Sequence, residues 1–220
     1  MPNCQLDHIA ITATSLEAGA DLVHEALGVR PLPGGEHPRM GTHNLLLRLG
    51  ESVYLEVIAI NPAASSSIGR PRWFGLDSLA LDAASRLATW IARTDDIQAS
   101  LAACSEPLGK VEPMSRGALN WQITVPEDGS LSLGGLAPAL IQWEPGAHPA
   151  SRMPDLGLSL TKLKFFHSEP ERVTAMLQSL GMPGTDGLIE VACLSGGQSP
   201  YLAAYIDTPS GPRILSGAIL

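Results

Sequence analysis

Apolar and polar residues alternate along "LDHIAIT", Leu6 to Thr12, and then the period changes. Leu16, Ala20, Val23 and Leu27 recur every three to four positions. The first pattern predicts a strand with one buried face, the second an amphipathic helix packed on it. Thr14 followed by Glu17 has capping-box spacing, and Gly28 supplies the stop. The same succession returns in "RLATWIARTDDIQASLAAC", from Arg86, and in "LTKLKFFHSEPERVTAMLQSLGM", from Leu160. The last has Ser168 and Glu171 as a second capping box, Pro170 in the first turn and Gly181 as the stop.

Strand-like runs follow each helix. "HNLLLRL" and "SVYLEVIAI" meet at Gly50-Glu51, as in a hairpin. "GALNWQITV" and a run ending "ALIQW" flank the turn "PEDGS"; "GLIEVACLS", "PYLAAYI" and "RILSGAI" close the chain, the last two joined by "TPSGP". Strand–helix–strands units of this length predict an α+β fold of repeated βαβββ modules, with curved, antiparallel-rich sheets around a concave site and helices outside. The expected organisation is residues 1–150 as paired modules, about 5–60 and 87–145 with a connector at 61–86, and residues 151–220 as a third, βαβββ-like module. Trp73, Phe74 and Leu76 make the connector too apolar for a free linker. "LSGGQSP", Leu194 to Pro200, reads as a hairpin turn.

Composition narrows the function classes. A net charge of −8 and the lack of any basic run argue against a nucleic-acid surface. The start "MPNCQLDHIAI" lacks a signal-peptide pattern, and "LSLGGLAPALIQW" is too short and too broken by glycine and proline to span a bilayer. Three cysteines without CxxC spacing fit a reducing, cytoplasmic setting. The expected partner is therefore a small-molecule ligand or substrate, not nucleic acid or membrane, and a homodimer is compatible with the third module. P-loop, G-x-G-x-x-G, G-x-S-x-G and HExxH motifs are all absent.

Strict alternation puts His8 with Leu6, Ala10 and Thr12 on the concave face, and Asp7, Ile9 and Ile11 under the helix. Tyr54, Glu56, Ile58 and Ile60 likewise share one face. A glutamate among such neighbours needs a cation or a hydrogen-bonding partner. One imidazole and one carboxylate facing a cavity suit a divalent metal with open positions; a buried, hydrogen-bonded His8 is the structural alternative.

"LDHIAI", "GGEHPRMGTHNLLLRLGESVYLEVIAINP", "SRGALNWQITV" and "IQWEPGAHP" together resemble the glyoxalase-like domain family of the vicinal oxygen chelate superfamily, which includes glyoxalase I, extradiol dioxygenases and bleomycin-resistance proteins. The resemblance covers residues 5 to 150 and is most specific at 34–57. It implies His8 and Glu56 as first-strand and late-strand ligands of one divalent ion (Zn, Mn, Ni or Fe), with Glu56 also as general base. Aligned strand starts put only Thr89 or Trp90 and Gln142 at the partner module's ligand positions, and Thr161 or Lys162 in the third, so a His-Glu-His-Glu site is absent. His43 is the candidate third ligand, if the glycine-rich turn folds back. His37, Tyr54, Arg116 and Trp121 are candidates for substrate contact, with a solvent-facing turn as the alternative for the histidines. Two functions follow: a metal-assisted lyase, isomerase or dioxygenase on a small oxygenated molecule, or a metal-free binding protein of the bleomycin-resistance type.

Overall fold

The computed structural model describes residues 2–64, 69–146, 148–182, 187–194 and 196–218. The chain runs β1 (Gln5–Thr12), α1 (Leu16–Leu27), β2 (Leu32–His37), β3 (Thr42–Arg48), β4 (Tyr54–Ile60), β5 (Arg86–Arg93), α2 (Ile97–Ala103), β6 (Lys110–Arg116), β7 (Leu119–Val125) and β8 (Ala139–Trp143). Then follow β9 (Ser159–His167), α3 (Pro170–Ser179), β10 (Ile189–Cys193), β11 (Tyr201–Thr208) and β12 (Gly211–Ser216).

The first eight strands form one sheet in the order β2-β3-β4-β1-β5-β8-β7-β6. Each half is a βαβββ module whose first strand lies parallel to its last: β1 with β4, β5 with β8. The halves join where β1 runs antiparallel to β5. The sheet curls until its edges approach, with Gly35 of β2 against the Arg116 side chain of β6. A Cβ on Gly35 would lie 2.8 Å from Arg116 Cγ, so a residue without one is required at this seam.

Both edge strands escape the sequence patterns. β2 is "LPGGEH", half of the stretch expected as a glycine turn; the actual turn is shorter, and His37 pairs with Thr42 across it. β6 carries Pro113, tolerable because an edge strand leaves one side of its ladder unpaired. The capping boxes also differ. Ser15, not Thr14, caps α1 by accepting from Ala18 N–H. At α3 no side chain caps the helix, and His167 Nδ1 instead accepts from Glu169 N–H.

The second sheet has the order β10-β9-β11-β12. Here β9 lies parallel to β10, the strand directly after the helix, so its strands pair in a different order from the first two modules. Because β9 separates β10 from β11, the segment from Leu194 to Pro200 crosses over a strand and is not a hairpin turn; Ser195 in it lies outside the described residues.

One core lies between the convex side of the large sheet and the small one, uniting Ile9, Ile11, Val23 and Trp90 with Phe165, Met176, Leu202 and Leu215. Trp90 meets Phe165 edge-on at 5.4 Å and donates its indole N–H to Leu136 O at 2.8 Å. Trp90 therefore belongs to this core and not to a pocket. A second core fills the concave side, where Trp73, Phe74 and Leu76 from the connector lie on Ala10, Ile58, Ile91 and Ile141. Among the described residues no helix is long and apolar enough to cross a membrane. Cys4, Cys104 and Cys193 are all unpaired.

Phe165→Ala should remove a fully buried ring from the contact between the sheets and lower unfolding free energy by about 3–5 kcal/mol in a urea titration.

Candidate active site

The site grows from an irregularity in β1. Its register against β5 pairs Leu6 with Ala92 and then His8 with Ile91, so Asp7 is an extra, unpaired residue. Such a bulge re-aims side chains. Asp7 therefore does not lie under the helix as alternation predicts; it joins His8, and it is 0% exposed. Its Oδ1 accepts from His8 Nδ1 at 2.6 Å. Its Oδ2 accepts from Trp143 Nε1 at 2.9 Å and from His148 Nε2 at 3.0 Å. His148 Nδ1 in turn accepts from Ala150 N–H, so both ring nitrogens are engaged and His148 clasps the segment after β8 onto the bulge.

His8 stacks on Tyr54 with ring centroids 4.3 Å apart. Its Nε2 stands 3.5 Å from Glu56 Oε2. Glu56 Oε1 accepts from Asn44 Nδ2. Asn44 is fixed in turn: its Oδ1 accepts from Gly35 N–H at 2.9 Å, and a Cβ on Gly34 would sit 2.1 Å from that oxygen. The glycine pair of "GGEHPRMGTHN" thus makes room for the amide that holds Glu56. Asn44 Nδ2 also reaches His37 Nε2 at 3.4 Å, and His37 Nδ1 meets Thr42 Oγ1 at 3.1 Å. These contacts assign His37 as a neutral ring with its proton on Nδ1.

Charge follows from this geometry. Burial alone would raise both carboxyl pKa values. Hydrogen bonds from His148 and His8, with the charge of His8, overcome it at Asp7, which is held well below the usual range. At Glu56 the hydrogen bond and charge of His8, with His37 and Asn44, bring the value to about 2. Burial opposes a charged His8, but Asp7 and Glu56 on either side raise its pKa. His37 goes the other way: burial, aided by the Arg116 and His8 charges, lowers it to about 4 despite Glu56. Burial, then the Asp7 and Glu56 charges, push the Tyr54 phenol well above 10. The site sets an imidazole between two carboxylates that favour its protonated form, beside a neutral histidine and phenol.

Over this cluster lie aromatic rings. Trp73 and Trp121 meet His37 edge-on at 5.2 and 6.0 Å, and the Arg116 guanidinium lies 6.0 Å from the Trp121 ring. The cavity shared by His8, His37, Glu56, Trp73, Arg116 and Trp121 measures only about 20 Å³. That is room for about one water or one ligand oxygen.

His8, Glu56, Tyr54, His37, Arg116 and Trp121 are thus brought together. His43 is not. It pairs with Ala59 between Thr42 and Asn44, so the alternation of β3 turns it to the opposite face. Sequence reasoning missed Asp7, Asn44 and Trp73. A carboxylate inside an apolar strand beside a histidine was the available signal for Asp7. Arg48 and Arg93 are tied to backbone carbonyls outside the cavity.

The fit to a metal ion depends on the donors. Two ligands on a tetrahedral ion at about 2.1 Å stand about 3.4 Å apart, which the His8–Glu56 spacing of 3.5 Å matches. A third ligand is lacking: among the described residues no group of three or more His, Cys, Asp or Glu side chains could hold a metal. The strand registers show why. His8 pairs with Tyr54 two residues before Glu56; the equivalent β5 residue, Ile91, pairs with Ala139 two residues before Ile141. Isoleucines, not Thr89 or Trp90 and Gln142, stand at the partner positions, and Gln142 Oε1 is occupied by Ile97 N–H.

The sequence profile of the glyoxalase-like domain family matches residues 6–181. The chain belongs to that family. It is thereby a member of the vicinal oxygen chelate superfamily, in which divalent metals are common. No curated protein matches it. Among solved structures, a hypothetical protein from Staphylococcus aureus aligns at TM-score 0.59 and 14% identity, covering 97% of this chain and 85% of that one. Methylmalonyl-CoA epimerase from Mycobacterium tuberculosis aligns at TM-score 0.41 and 21% identity, covering 64% of this chain and 87% of its own. The Streptomyces coelicolor epimerase in complex with 2-nitronate-propionyl-CoA gives TM-score 0.41 at 16% identity, covering 63% and 96%. The Staphylococcus aureus structure, at 14% identity, speaks for the fold and leaves activity open.

The lowered His37 pKa makes stability depend on pH. A base whose folded pKa lies below its unfolded value contributes fully above the unfolded value, 6.5, and loses that contribution as pH falls to about 4. Urea unfolding should therefore weaken by about 3 kcal/mol over this window, and His37→Gln should flatten that slope. The Glu56 contribution is lost only lower, as pH falls from 4.5 through about 2.

Proposed function

We propose that this glyoxalase-like protein is an acid–base enzyme of isomerase or epimerase type, acting on a small carbonyl compound at the concave site. One observation carries the reading: a buried carboxylate, Glu56, faces an aromatic cavity while the Asp7-anchored imidazole of His8 stands behind it. Glu56 is ionised at neutral pH and so stands in the base form. A carboxylate held near 2 is a feeble base in the free protein. Ligand entry that displaces Asn44 removes one of the contacts that lower this pKa and so shifts Glu56 upward, while the His8 hydrogen bond and charge still hold it down.

In the proposed step Glu56 takes a proton from the carbon beside the carbonyl. The C–H electron pair moves into the new C=C bond of the enolate, and the carbonyl oxygen gains the charge. Return of the proton to the same carbon from the same face restores it and from the opposite face inverts it. In a hydroxy ketone, return to the former carbonyl carbon, with the hydroxyl proton passing to the former carbonyl oxygen, isomerises the compound. Tyr54 orients His8 by stacking, and His37 and Trp121 form the wall against which the ligand lies. His8 and Glu56 could offer a divalent ion two donors, which suits a transient ion delivered with substrate better than a resident one, and no step here depends on it.

The smallness of the cavity favours a second reading, a binding protein that closes on its ligand without turnover. Proton exchange separates the two. A panel of small 2-oxo acids, hydroxy ketones and acyl thioesters is incubated in D₂O with protein treated with chelator, and C–H loss is followed by proton NMR. Exchange by wild type and at least a hundredfold less by Glu56→Gln supports the enzyme. Saturable binding without exchange supports the binding protein. Exchange lost on chelation and restored by Zn, Mn, Ni or Fe(II) would overturn metal independence.

A further inference from the structure

The protein has four tryptophans, and their indole N–H groups fall into two classes. Trp90 donates to Leu136 O and Trp143 to Asp7 Oδ2. Trp73 and Trp121 are buried, 3% and 5% exposed, yet each leaves Nε1 without an acceptor among the described residues. Buried indoles ordinarily find a partner, and an unmet donor costs about 1–3 kcal/mol. Both unmet indoles line the cavity that contains Glu56 and His8.

A cation accompanies them. Arg39 and Arg70 at the same edge are spent on Glu112. Arg116 has no such carboxylate among the described residues; it lies over Trp121 and lines the cavity. Gly35 leaves the space its stem occupies. The cavity is thus lined by an acceptor, Glu56, on the β4 wall, and elsewhere by a guanidinium and by two tryptophans whose indole N–H groups are unmet. It has room for about one oxygen.

We infer that Trp73, Trp121 and Arg116 form an oxygen-binding pocket for the ligand's carbonyl or carboxylate, supplying by hydrogen bonds and charge the stabilisation that a metal would otherwise give. The inference rests on the proposed site but not on the proton transfer. Preorganised donors act most strongly where charge develops in a water-excluded space. Because Trp73 belongs to the connector, the pocket is complete only when that segment lies on the concave face.

Indole ¹H–¹⁵N spectra of the full chain test this directly, using formate and acetate as anionic probes and acetamide as a neutral carbonyl. Trp73→Phe and Trp121→Phe keep an aromatic ring, remove the N–H and assign its signal. Trp73 and Trp121 should move downfield saturably with a probe while Trp90 and Trp143 stay in place. Trp121→Phe and Arg116→Gln should each weaken binding about tenfold, and Arg116→Lys should recover part of the loss. If either Phe variant does not fold, the Arg116 pair and the wild-type spectrum still decide. Unmoved signals at saturating probe, meaning that a structural water holds both donors, overturn the inference. So does an equal drift of all four, which marks bulk ionic strength. Indole shifts without isotope exchange would sink the acid–base reading alone; exchange without indole shifts would sink this one alone.

Discussion

The buried pairing of Asp7, His8 and Glu56 constrains everything around it. Two carboxylates and an imidazole out of water are unfavourable unless each lone pair and proton is met. The rest of the site is largely the means of meeting them: Trp143 and His148 on Asp7, Tyr54 against His8, Asn44 on Glu56. Remove one member and its neighbours are left charged in a medium that cannot compensate. The network also ties β1 to β4 and to the segment after β8, so the polar cluster joins the two halves of the large sheet from the inside.

The connector completes the enclosure. Phe74 and Gly75 both take left-handed φ, 58° and 67°, and Gly75 N–H bonds Gly129 O at 2.8 Å. A bulky side chain at positive φ is unfavourable, and here the arrangement lays Trp73 and Phe74 together, stacked at 5.3 Å, over the concave core. Backbone strain thus coincides with the wall of the candidate site.

Much of this was legible in the chain. Period-2 and period-3.6 patterns located β1, α1, β3 and β4, and they put His8, Tyr54 and Glu56 towards one cavity. The failures have specific causes. Alternation assumes an unbroken ladder, so the bulge at Asp7 reversed its expected side. The edge strands β2 and β6 have glycine and proline in their interiors because half their backbone faces no partner, which erases the usual strand signature. The contact of Asn44 with Glu56 gave no signal, since it depends on the space left by Gly34 ten residues before it. The partner-module ligand positions were misplaced by one or two residues, because strand starts and not pairing register had set the alignment.

The register also gives the site a lopsided character. Duplicated modules with matching residues would surround a ligand with polar groups from both sides. Here the β1 and β4 wall carries the ionised chain, and the second module contributes Ile123 and Ile141 beside Trp121 and Arg116. A molecule lodged between them experiences a gradient across its own width, from strong field to hydrocarbon. Such a gradient distinguishes the two ends of an amphiphile, and it arises from the walls before any reacting group is considered.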